Sequence, residues 1–459
     1  MPIEKIKARQ IFDSRGEPTL EVDLITDIGL LRSSVPYNLP TNPIEGFDLR
    51  DNDDSKFNGR TVFKAIDNIT NIIAPNLIKS RLEVCQQQDI DSFLAKLDGT
   101  DNKSKLGANA ILGVSMACCK AGAIKRGIPL YKYISNMAGS QPVIPVPIFN
   151  VISGGKLAGN PLTFQKFMIM PTGAKSFKEA MQIGTEVYRA VENQIAENAE
   201  LKLPLTVGDD GSFHPDFEEN TEALATVVDA IKVTGYEDKV KIALDISAST
   251  FCKDGQYDLE YKTEETDPDD YLEPEALLEQ YQELLGEFPQ IISLKDPFDQ
   301  EDWDSWPLLS NQSIQIVADD LTAMNNEKVE EAIENGAANC LAIKLPQIGT
   351  ITEAIDCFKL AKASGWSSVV CSGYGETEDN FIVDFAIGLG SGQFEAGGLC
   401  RGERISKYNQ ILRIEEELGK AAKYVGEMFR NPLALTQEES NNNNDVNKKK
   451  SKKKKKKST

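Results

Sequence analysis

The sequence predicts an α/β protein in two folded parts: an N-terminal α+β domain over residues 1–138 and an α/β barrel over 139–432. A disordered Asn/Lys-rich tail over 433–459 completes the expectation. Three observations carry it. The first 35 residues alternate apolar and polar positions between glycine breaks. From about residue 60 to 135 the apolar period becomes that of a helix. From about residue 140 onward, eight short apolar runs are separated by amphipathic segments of helix length. Repeated strand and helix over about 290 residues suits a parallel sheet, and the size suits its closure into a barrel.

Taken in order, KIKARQIFDSRG, PTLEVDLITDIG and LLRSSVP read as antiparallel strands, with Gly16 and Gly29 as punctuation. SKLGANAILGVSMACCKAGAIKRG is the strongest helical segment of the next region. The later apolar runs are VIPVPIFNV, FMIMP, KIALDIS, QIISLKD, IQIVADD, CLAIKL, SSVVCS and GQFEAG. Helical periodicity is expected to continue to about Arg430, where Asn431-Pro432 ends it.

Composition removes several classes of function. The chain has 459 residues, 41% hydrophobic and 26% charged, as expected of a globular protein with one large core or two smaller ones. Charge from the fourth residue argues against a signal peptide, and no apolar run reaches the roughly 18 residues of a membrane span. None of the eight cysteines forms a C-x-x-C pair, so they read as small buried hydrophobes in a reducing cytoplasm. Net charge is −21, unevenly distributed. Residues 441–459 hold nine lysines and one aspartate, leaving 41 basic and 70 acidic residues elsewhere, a body at −29. Such a body is unsuited to nucleic acid. The tail is suited to polyanions or nuclear import, or to balancing the acidic body.

Barrels of this kind build their sites at the C-terminal ends of the strands. Those tips read as Lys166, Asp210, Asp245, Lys295, Asp319, Lys344, Ser372 and Glu395. So many charges at buried strand ends must pair with each other or bind something.

The segments FDSRGEPTLEV, LDGTDNKSKLGANAILGVS, PVPIFNVISGG, FMIMPTGAKSF, IQIVADDLT, GETEDNFI and NQILRIEEELG resemble enolase, the phosphopyruvate hydratase of glycolysis, over residues 1–432. The resemblance implies an N-terminal α+β domain, a C-terminal eight-stranded barrel, a dimer, and Mg2+-dependent conversion of 2-phosphoglycerate to phosphoenolpyruvate. In that chemistry two magnesium ions neutralise a developing dianion, a lysine takes the proton, and a glutamate assists departure of hydroxide.

By the same resemblance Asp245 and Asp319 match two ligands of the first magnesium, while the third, a glutamate in the family, is Lys295. An ammonium cannot ligate a hard cation, and about 4 Å from a dication it costs roughly 8 kcal/mol at an effective dielectric near 20. The loop supplying the second magnesium's serine aligns with Tyr37, Asn38, Leu39, Pro40, Thr41 and Asn42, with Pro40 at the serine. Lys344 matches the proton-abstracting lysine. The carboxylates on the leaving-group side become Lys166 and Asp210, and the substrate-binding lysine becomes Glu395. Two histidine positions become Leu157 and Ser372, the phosphate-clamping arginine becomes Gly373, and the next serine becomes Tyr374.

The expectation is therefore a pseudoenzyme in which Asp210, Asp245, Asp319 and Glu395 pair with Lys166, Lys295 and Lys344 instead of holding metal. Lys344 is expected to pair with Asp319 and Glu395, and Glu376 and Asp379 to cap the helix that follows them. An active Mg2+-dependent hydratase and a superfamily enzyme using Lys166 and Lys344 as bases are the alternatives. A weak magnesium site at Asp245 and Asp319 stays open. Glu21 and Arg413 occupy segments that pair across the family's dimer, so a homodimer, or a heterodimer with an active enolase, is expected. The site changes make a small-molecule substrate doubtful.

Overall fold

The structure is a computed structural model that describes residues 2–38, 40–198, 205–262, 266–310 and 313–432. The tail from residue 433 and Leu39 lie outside the described residues. Among the described residues no helix is long and apolar enough to cross a membrane.

The N-terminal part opens with an antiparallel sheet of β1 (Ile3–Phe12), β2 (Pro18–Thr26) and β3 (Gly29–Ser34), as the alternation predicts. Its inner face, with Ile6, Leu20, Val22 and Leu24, packs beside the helix Ala108–Arg126, which is buried over most of its length. Gly113 makes that approach possible, because a Cβ there would lie 2.8 Å from Val22.

The eight apolar runs of the second part all form strands. They are β4 (Val146–Ser153), β5 (Lys166–Met170), β6 (Lys241–Asp245), then, after a two-stranded hairpin of β7 (Cys252–Lys253) and β8 (Gln256–Tyr257), β9 (Ile291–Lys295), β10 (Gln315–Ala318), β11 (Cys340–Ile343), β12 (Ser367–Cys371) and β13 (Gly392–Gly398). They close into a barrel in the order β10-β11-β12-β13-β4-β5-β6-β9.

The barrel is not wholly parallel, which corrects the expectation. β5 runs antiparallel to both β4 and β6. The segment from Gly154 to Gln165 is glycine-rich and forms only a short 3-10 turn, Gly155–Leu157. It supplies no crossover helix, so the chain returns in the opposite direction. Two helices, Phe177–Asn198 and Asn220–Val233, then precede β6. The C-terminal helix also ends earlier than its periodicity suggests, at Leu418, and short turns lead on to Pro432.

The barrel interior is layered. Toward the bottom lie apolar residues such as Met170 and Phe429. Above them Gln315 donates to Gln393 Oε1 at 2.8 Å and to Ser293 Oγ at 3.0 Å, so the buried amides are paired. Charged residues form the top.

Contacts between the two parts hold the mouth in shape. Asp91, on the helix Gln87–Asp98, is fully buried and accepts from Thr352 N at 2.9 Å, Thr352 Oγ1 at 2.6 Å and Ser115 Oγ at 2.6 Å. It thus caps the barrel helix Ile351–Ala363 from the other domain. Lys120 pairs with Asp379 at 2.7 Å across the same boundary. Asp91→Ala leaves several buried donors unmatched and should destabilise the chain by about 2–4 kcal/mol in chemical denaturation. A change below about 0.5 kcal/mol would contradict this role for Asp91.

Candidate functional site

Strand register places the charges. Lys166 on β5 lies opposite Asp245 on β6, and Asp245 lies opposite Lys295 on β9, so the three stand abreast at one end of the barrel. Lys166 is therefore not the C-terminal tip the sequence suggested. It is the first residue of an antiparallel strand and reaches the mouth from the other direction. Asp319 and Lys344 follow β10 and β11 directly. Glu395 lies inside β13, opposite Cys371 and beside a bulge. Asp210 is not on a strand but in a turn, whose backbone carbonyl accepts from Gly398 N at 2.6 Å.

Lys166, Asp210, Asp245, Asp319, Lys344 and Glu395 line a cavity of about 420 Å³ whose wall also includes Pro40, Leu157, Ser372, Gly373 and Tyr374. Lys295, 3% exposed, does not line the cavity itself but touches the carboxylates that do. Its ammonium sits 2.6 Å from Glu395, 3.4 Å from Asp245 and 3.8 Å from Asp319. Lys166 bridges Glu395 at 2.7 Å and Asp245 at 3.1 Å, and Lys344 holds Asp319 at 2.6 Å. Three lysines and three carboxylates thus close a neutral network.

Two details differ from the sequence reading. Glu395 serves Lys166 and Lys295, while Lys344 has Asp319. Asp210 stands outside the network and accepts from Asn150 Nδ2, from Ser212 Oγ at 2.6 Å and from Ser153 Oγ at 3.2 Å.

Burial opposes charge on all three lysines, yet the neighbouring acidic groups override it and hold each above the ordinary lysine range. Burial likewise opposes ionisation of Glu395 and Asp245, and the lysines override it, most strongly at Glu395. Burial pushes the Cys371 thiol well up, so it stays protonated beside Glu395 at 3.4 Å. Lys166 and Lys344 are thus favoured in the protonated form.

The segment from Pro36 to Gly46 covers one side of the mouth. Tyr37 and Gly375 exchange backbone hydrogen bonds of 2.7 and 2.9 Å, and Thr41 donates to Asp320 at 2.7 Å. This closure explains Gly373: a Cβ there would lie 2.9 Å from the Tyr37 carbonyl oxygen and 3.0 Å from Pro36. The Tyr374 ring is covered by the Arg15 guanidinium at 4.2 Å.

Arg404, on the helix Gly402–Leu418, escaped the sequence reading. It donates to Ser372 Oγ at 2.9 Å and to the Gly373 and Tyr374 carbonyls at 3.1 and 3.0 Å. It lies in the first turn of that helix, where the sequence offers no signal of the contact. Glu376 and Asp379 divide their expected role. Asp379 accepts from Phe381 N at 2.9 Å, at the start of the helix Phe381–Leu389. Glu376 instead holds buried Lys407 at 2.9 Å and accepts from Gly373 N at 2.6 Å.

Comparison with known families now bears on this geometry. Residues 3–134 match the family described as Enolase, N-terminal domain, and residues 141–433 match Enolase, C-terminal TIM barrel domain. The chain belongs to the enolase family. Enolases are typically Mg2+-dependent, so the donor set needs testing against that ion. Asp245 and Asp319 both face the Lys295 ammonium, which occupies the ground between them, and they do not fit a dication. A second acidic group, Asp296, Asp319 and Asp320, brings carboxylate oxygens within 4.8 Å of one another. Several of its oxygens are engaged within the chain: Asp296 accepts from the backbone of Asp319 and Asp320, Asp320 Oδ1 from Thr41, and Asp319 pairs with Lys344.

Lys295→Met would leave three buried carboxylates short of a cation and should cost about 3–5 kcal/mol at neutral pH. In the parent, the depressed pKa values of Glu395 and Asp245 give stability that is present above the unfolded value and lost as pH falls through the folded value. Without Lys295 the carboxylates Glu395 and Asp245 lose their nearest ammonium and should be pushed up, and their destabilisation then grows as pH rises from the unfolded value through the raised folded value. Urea denaturation should therefore show a smaller deficit at about pH 5 than at about pH 7.5; a deficit independent of pH would contradict the network.

Proposed function

We propose that this enolase-family chain does not dehydrate 2-phosphoglycerate and acts as a non-catalytic binding or structural protein. The single observation that carries this reading is the Lys295 ammonium, which lies 2.6–3.8 Å from Glu395, Asp245 and Asp319. It supplies from the chain itself the positive charge that a metal would otherwise bring, and it does so without a vacant coordination position for substrate.

The rest of the mouth supports the same reading. Abstraction of a proton next to a carboxylate needs a neutral base and strong stabilisation of the dianion. Lys344 is held protonated by Asp319, and the family's clamping arginine position, Gly373, has no room for a side chain. Arg404 spends its guanidinium on Ser372 and two backbone carbonyls. Pro40 brings no hydroxyl to the position of the loop serine. No step of a lyase reaction can be assembled from these groups.

A dimer belongs to this proposal. Phe12 and Phe57 are 53% and 51% exposed, with ring centroids 5.6 Å apart, an apolar surface at the end of β1 suited to burial against a second chain. Glu21 is already paired with Arg9 within the chain, whereas exposed Arg413 donates to Gln410 at 3.2 Å.

Formation of phosphoenolpyruvate from 2-phosphoglycerate under excess magnesium tests the proposal. The wild-type chain and Lys344→Ala should both remain at background. Turnover by the wild type that disappears in Lys344→Ala would overturn it.

A further inference from the structure

About half of the acidic excess of the body falls in one stretch of the chain. Residues 253–304 contain 18 acidic residues against three lysines, a net of −15. Within this stretch the helix Pro274–Glu287 buries Leu277 and Tyr281 toward the core. Glu275, Glu279, Glu283 and Glu287 follow one another at four-residue spacing and are all exposed. That spacing puts four like charges on one ridge, an arrangement that opposes the helix. The last two also face the negative end of the helix dipole, and the last turn has no basic residue. Among the described residues none of the four takes part in an ion pair. The ridge lacks a cation.

The same chain carries one. Nine lysines lie within residues 448–457. The path from the body leads to the right rim. Phe429 plugs the bottom of the barrel, and Arg430 donates to the Ser313 carbonyl at 3.0 Å, just before β10. β10 is hydrogen-bonded to β9, and the helix Pro274–Glu287 enters β9 through Phe288–Gln290. The described chain therefore ends on the rim where the glutamate ridge also ends. Fifteen residues, 433–447, separate Pro432 from Lys448. They span about 50 Å extended and about 20 Å as a flexible coil. A helix of 14 residues is about 21 Å long, so the lysine run can lie along all of it.

We propose that residues 448–457 dock on the Glu275–Glu279–Glu283–Glu287 ridge of their own chain as an electrostatic strap. Occupied in this way, the tail is withheld from external polyanions until one of them, or raised salt, displaces it. This inference does not depend on whether the barrel mouth is catalytic.

Zero-length carbodiimide coupling of the full chain at low salt, followed by peptide mass mapping, tests it. A mixture of isotopically light and heavy chains separates contacts within one chain from contacts between two. Lysine couplings should concentrate on the four glutamates within one chain and fall at least fivefold in 0.5 M salt. The E275Q/E279Q/E283Q/E287Q variant should lose them. Heparin retention supplies a second readout. Deleting residues 446–459 should reduce retention more in the glutamine variant than in the parent, because there the tail is free. Couplings spread evenly over the acidic surface, couplings between differently labelled chains, or an equal effect of the deletion in both backgrounds would overturn the strap. The last result would assign the tail to an outside polyanion.

Discussion

The contact between the Lys295 ammonium and Glu395, Asp245 and Asp319 organises everything at the barrel mouth. Three carboxylates almost wholly removed from water repel one another strongly, and something positive must stand among them. In this chain the cation is covalently attached to β9. It cannot dissociate, it offers no coordination site to a ligand, and its presence does not depend on metal concentration. Lys166 and Lys344 complete the neutralisation, so the six groups form a charge-balanced set. The network's contribution to net stability is a separate matter, since desolvation of six charges offsets much of their attraction. What it imposes is that no member can be removed alone without stranding the others.

That set depends on the fold below it. The register of β5, β6 and β9 brings Lys166, Asp245 and Lys295 abreast, and the amide and hydroxyl layer of Ser293, Gln315 and Gln393 supports them from beneath. Closure of the Pro36–Gly46 segment through Tyr37 and Gly375 follows a related logic. Because that segment occupies the space beside Gly373, an arginine side chain cannot be accommodated there, and Arg404 approaches from the C-terminal helix instead. The mouth remains a cavity, but its positive groups are committed to partners within the chain.

Much of this was legible in the sequence because it rests on local patterns. The eight apolar runs became the eight barrel strands, and the alternation of the first 35 residues became β1, β2 and β3. The direction of β5 was missed, although the absence of a helix-length pattern between Ser153 and Lys166 carried the signal. Charge type at each mouth position was legible, whereas the pairing was not. Which lysine takes Glu395, and that Asp210 turns away to Asn150 and Ser212, depends on distances fixed by tertiary packing. Arg404 was invisible for the same reason, since nothing in its own helix indicates that it reaches the loop after β12.

The central claim is that a lysine stands where a divalent cation would need to be. Its most direct test is titration with Mn2+, a divalent stand-in for magnesium, followed by the electron paramagnetic resonance signal of the free ion, on the wild-type chain and on Lys295→Glu. The account predicts no bound ion at millimolar Mn2+ in the wild type and one bound ion per chain in the variant, whose third carboxylate restores an all-oxygen site. One tightly bound ion in the wild type, unaffected by the substitution, would contradict it.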